Sequence, residues 1–138
     1  MTVLTITPVS PGVKLPGFDA PRPESIAKLE GVAILAADSF AKICSLAAGN
    51  DDDLRRVAAD SHTRVLDAIS AARGYAADEG VLGRFDAATT LLTAIRAAKP
   101  MLEFVGVVGD SDATEEASRC LEVVRSAIAD EAHGITVY

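Results

Sequence analysis

The chain contains no tryptophan, and its aromatic fraction is only 4%. That excludes stacking platforms for bases or sugars, which need several rings side by side. Histidine and cysteine are equally scarce, with two of each. Metal sites in helical bundles use Glu-x-x-His motifs on facing helices. Neither His62 nor His133 has a glutamate three positions before it, so no metal site is expected. Cys44 and Cys120 stand far apart without a C-x-x-C pairing. They read as buried, reduced thiols of a cytoplasmic protein.

Basic residues are outnumbered. Thirteen Lys and Arg face twenty Asp and Glu, giving a net charge of −7. Such a chain repels phosphate backbones and anionic membrane surfaces, so neither nucleic acid nor membrane is an expected partner. No apolar run reaches the ~18 residues that span a bilayer. Met1 to Pro11 lacks the basic and apolar regions of a secretory signal.

Catalytic signatures are missing as well. There is no G-x-S-x-G turn to expose a nucleophile. Gly106-Val-Val-Gly109 lacks the lysine and hydroxyl of a phosphate loop, and Gly80-Val-Leu-Gly83 is a glycine-flanked turn. The run Asp51 to Asp53 lacks the alternating spacing and distal glutamate of a calcium loop. Ser61-His62-Thr63-Arg64 lacks the lysine–glycine context of a phosphoacceptor histidine, so His62 reads as a boundary residue. No enzyme activity and no cofactor are expected.

What remains is abundant helix-forming material. The 138 residues are 49% hydrophobic and 24% charged. A fold of this length buries roughly 68% of its unfolded surface, enough for a proper core. Alanine, the best helix former, is plentiful. Alanine-rich, lysine-poor usage also points to a bacterial source.

Residues 1–23 form a proline-rich arm, because Pro8, Pro11, Pro16, Pro21 and Pro23 oppose helix. Residues 24–138 are expected to form a single helical domain, an antiparallel four-helix bundle. The first helix, about 24–48, is opened by Pro23-Glu24-Ser25 and closed by Gly49. Its polar residues, including Lys28, Asp38, Ser39 and Lys42, crowd one narrow arc, and the rest is apolar. A helix this apolar is either central in the bundle or buried in an oligomer.

The second helix, about 51–77, is capped by Asn50 or Asp51 and carries the cleanest stripe. Leu54, Val57, Ala58, Ser61, Val65, Ala68, Ile69, Ala72 and Tyr75 share one face. A third helix, about 83–98, turns Phe85, Ala88, Leu92 and Ile95 inward. Pro100 predicts a kink before an extension to 108, for which a strand is the alternative. The fourth helix, about 112–133, is predicted to start on a capping box of Asp112 and Glu115. Ala117, Leu121, Val124, Ile128 and Ala132 make its stripe, and His133 sits in its last turn before Gly134. The tail Ile135-Thr136-Val137-Tyr138 is β-prone.

Two features bear on function. Arg55, Arg56, His62, Arg64 and Arg73 make the second helix locally basic, a solvated face or a possible interaction face. The apolar excess of the first helix and of Met101 to Val108 suits a dimer interface or a ligand cavity. Alanine-rich walls favour close packing over a roomy pocket. The expectation is therefore a non-enzymatic interaction or self-association module, a homodimer, with a hydrophobic small-molecule binder as the alternative.

Overall fold

A computed structural model describes residues 21–46, 52–77 and 80–134, with side chains through residue 130. The arm as far as residue 20, the caps Gly49, Asn50 and Asp51, the side chain of His133 and the tail 135–138 lie outside the described residues. Four helices follow in order: α1 (Pro23–Leu46), α2 (Asp52–Ala76), α3 (Val81–Val108) and α4 (Ser111–Gly134). They pack as an all-α four-helix bundle, with no strand among the described residues. Lys28 of α1 pairs with Asp130 of α4, and the later Ser39 with the earlier Glu116, so these two helices run in opposite directions.

The bundle is not square. α1 and α3 each touch all three other helices, whereas α2 and α4 do not touch each other. α1 and α3 therefore form the short diagonal, and α2 and α4 are the outer corners. This arrangement accounts for the sequence pattern. A corner helix has two neighbours and needs one apolar stripe; a diagonal helix has three and needs most of its circumference. The central position consumes part of the apolar excess of α1, while Ile34, Leu35 and Leu46 stay 39%, 40% and 38% exposed. Leu29, Phe40 and Ile43 of α1 and Leu91, Ile95, Leu102 and Val105 of α3 are fully buried. Each contributes about 1.5–3 kcal/mol relative to exposure. Ala33, Ala36 and Ala37 of α1 and Ala87 and Ala88 of α3 are buried as well. Such small side chains let helices approach closely at the diagonal.

Several local expectations need correction. α3 begins at Val81, earlier than Gly83, and continues through Pro100 to Val108 as one helix, which removes the strand alternative. Pro100 and Arg96, whose carbonyl loses its N–H partner there, are both on the solvent side. Water can serve the freed carbonyl, so the proline is tolerated. α4 is capped by Asp110, not by Asp112: Ala113 N–H donates to Asp110 Oδ1 at 3.0 Å. The preceding turn requires glycine at Gly109, because a Cβ there would lie 2.7 Å from the Val105 carbonyl oxygen. Ser39, placed on the polar arc of α1, is buried against α4. Tyr75 is exposed and Phe85 only half-buried. On α4 the buried stripe is Ala113, Ala117, Cys120, Val124 and Ala127, with Leu121 and Ile128 at its edge.

Candidate functional site

The seams of the bundle are closed in different ways. Ion pairs clamp three of them. Arg73 of α2 makes a two-pronged contact with Glu30 of α1, both nitrogen–oxygen distances being 3.1 Å. Lys28 meets Asp130 across α1 and α4 at 3.3 Å, and Arg125 meets Glu103 across α4 and α3 at 3.2 Å. The fourth seam, between α2 and α3, is lined by small and hydroxylated residues. It opens into a groove of about 390 Å³.

The groove follows from the side chains that helical spacing brings there. Ala94, Ala97, Ala98 and Met101 project from α3, and Val65 and Ala68 from α2. Alanines leave space where leucines would have interlocked. Phe40 of α1, fully buried, forms part of the floor. Thr89, Thr90 and Thr93 collect toward one end, and Met101 lies toward the other. From Thr89 to Met101 the groove runs roughly 18 Å along α3, at 1.5 Å per residue. Its threonines gather toward the Thr89 end, Ser61 adds a further hydroxyl from α2, and Arg64 stands on the α2 side.

The five basic residues singled out on α2 are not gathered into one face. Arg55 pairs with Asp52 at 2.9 Å and Arg56 with Asp53 at 3.4 Å, each within the first turns of α2. Arg73 is engaged with Glu30, which holds its guanidinium above its usual pKa through the hydrogen bond and the opposite charge. Arg73 thereby faces α1, and Arg55 and Arg56 both line a recess with Cys44 of α1. His62 is half-buried. Arg64 alone of the five lines the α2–α3 groove. Among the described residues it has no ion pair or hydrogen bond, although Asp60 and Asp67 lie one turn away on the same helix.

No family model, curated protein or solved structure matches this chain. Its chemistry is therefore read from its own side chains.

A second polar feature is buried between α1 and α4. Ser39 Oγ donates to Glu116 Oε2 at 2.7 Å, and Arg119 Nη1 donates to Glu116 Oε1 at 3.0 Å. Cys120, one turn further along α4, is 2% exposed. Burial pushes its thiol above the usual range; the Ser39 hydroxyl pulls down and the Glu116 charge pushes up. A thiol held in its neutral form in a closed core is a packing element rather than a nucleophile. Among the described residues no three histidine, cysteine or carboxylate side chains converge as metal ligands, and no helix is long and apolar enough to cross a membrane.

Sequence reasoning named Arg64 but missed its setting. The groove residues Thr89, Thr90 and Thr93 carried a signal that went unread. They recur at helical spacing on the face that continues through Ala97 and Met101, hydroxyls where a core stripe would be apolar. Glu116 offered a fainter one, a single carboxylate next to Ala117 in the stripe of α4.

Proposed function

We propose that this chain is a non-enzymatic binding module whose working surface is the α2–α3 groove, and that it takes a small apolar ligand between the two helices. The observation that carries this reading is a concave, mostly apolar opening of about 390 Å³ with a few hydroxyls on its walls. That volume falls within the range of small-molecule pockets, roughly 300–1,000 Å³, and the pattern of apolar walls with few polar groups is typical of them. The other seams carry recesses of about 440 and 450 Å³, but charged side chains line them: Lys28, Arg119, Glu122 and Asp130 in one, Glu30 and Arg84 in the other. Isothermal titration of the full chain with 1-decanol, a linear neutral apolar probe, tests the reading. Saturable binding of one molecule per chain is expected. It should be lost in Ala94→Phe, which fills the groove from a half-buried position. Binding that survives Ala94→Phe would place the probe elsewhere and sink the reading.

Self-association is the second reading, and a different observation favours it. Phe104, Val107 and Val108 share one side of the last turns of α3 and are 40%, 84% and 46% exposed. A homodimer built on that end would be weakened by Val107→Lys. A Val107→Lys protein with unchanged sedimentation behaviour would remove this reading.

A further inference from the structure

We infer that the occupant of the groove is an amphiphile with a carboxylate head, a fatty acid of medium chain length, bound head-first to Arg64. The inference rests on the groove reading and adds the identity of the headgroup.

Three observations point the same way. The first is charge. In an acidic protein whose inter-helix contacts use up Lys28, Arg73 and Arg125, Arg64 has no acidic partner among the described residues, and it lines an apolar groove. A planar guanidinium matches a carboxylate with two parallel hydrogen bonds, better than it matches any neutral head. The second is polarity along the groove. Three of its four hydroxyls, those of Thr89, Thr90 and Thr93, gather toward one end of α3, while Phe40, Ala98 and Met101 line the stretch where a chain would lie. The third is size. At about 30 Å³ per water-sized group, the groove volume accommodates roughly a dozen non-hydrogen atoms. Decanoate has that size. A cationic amphiphile would meet Arg64 with like charge.

Isothermal titration of the full chain with decanoate and with 1-decanol separates the headgroup from the groove. The wild-type protein should bind decanoate more tightly than decanol. Arg64→Gln, an exposed substitution that leaves the core intact, should weaken decanoate about tenfold and leave decanol within twofold. Ala94→Phe should abolish both. Equal binding of acid and alcohol by the wild type, or decanoate affinity unchanged in Arg64→Gln, would overturn the headgroup assignment while leaving the groove in place. Binding of neither compound would overturn the groove reading itself.

Discussion

Ser39→Ala removes one hydroxyl from the α1–α4 seam, and its cost can be worked from the contacts it leaves behind. The Ser39 hydroxyl is 2.7 Å from Glu116 Oε2, and both residues are buried, at 2% and 9% exposure. A hydrogen bond to a charged acceptor contributes about 1.5–3 kcal/mol, more than a neutral one. Without the hydroxyl, Glu116 keeps only Arg119, which is 63% exposed and gives weak compensation. The expected loss is about 2 kcal/mol. For a chain of this size that corresponds to a drop in melting temperature on the order of 8 °C. Replacing both partners by apolar groups is a different matter, because no polar group is then left stranded. Ser39→Ala with Glu116→Leu should be at least as stable as Ser39→Ala alone. Thermal and urea unfolding followed by far-UV circular dichroism reads both quantities. A Ser39→Ala protein within about 0.5 kcal/mol of wild type would refute the claim that this contact holds the seam. A double variant markedly less stable than the single one would refute the account of why.

Other consequences follow from burial. Val65→Asp places a charge at a site 3% exposed, where several kcal/mol of desolvation exceeds what a marginally stable domain can absorb. Loss of helicity and of cooperative unfolding is expected; an unchanged melting curve would mean that α2 packs through another face. The two thiols should differ sharply toward a maleimide in the native state. Half-buried Cys44 should react first, and Cys120, buried with its thiol pushed up, should react only as the bundle opens. Equal rates in native protein would contradict the closed α1–α4 seam. Glu103 carries a pH-dependent contribution, because the Arg125 hydrogen bond holds its carboxyl below the usual range. Its contribution is present above the unfolded-state value and is lost as pH falls through the lower folded value. Glu103→Gln should therefore flatten the acid limb of the stability profile, and an unaltered limb in that variant would argue against the pair.

The bundle was legible from the sequence because its helices carry their own punctuation. Stripes such as Leu54-Ala58-Val65-Ile69-Ala72 have the helical period, and Gly80 and Gly109 mark ends. The two meanings of an over-apolar helix could not be separated, since a diagonal position and an oligomer interface demand the same residues. That distinction depends on which helices touch, a tertiary fact. The helical extension past Pro100 to residue 108 was legible, but the strand alternative stayed open, because a proline's cost depends on whether the freed carbonyl faces water and periodicity alone did not establish that. Ser39 misled for a related reason: it borders the polar arc of α1, and only its neighbour across the seam, Glu116, decides that it is buried. The groove was hidden in a stretch where the sequence looked most compact. Alanines permit either a tight seam or an open one, and the spacing between α2 and α3 is set by the larger residues around them.

The central claim is that the working surface lies between α2 and α3. Backbone amide NMR of the full chain titrated with 1-decanol tests it most directly, because every helix reports separately. Shift changes should concentrate at Ser61, Ala68, Thr89, Thr93, Ala97 and Met101, which line the groove, and should saturate at one ligand per chain. Changes centred on the α1–α4 seam or on Phe104 to Val108, or none at all, would contradict it.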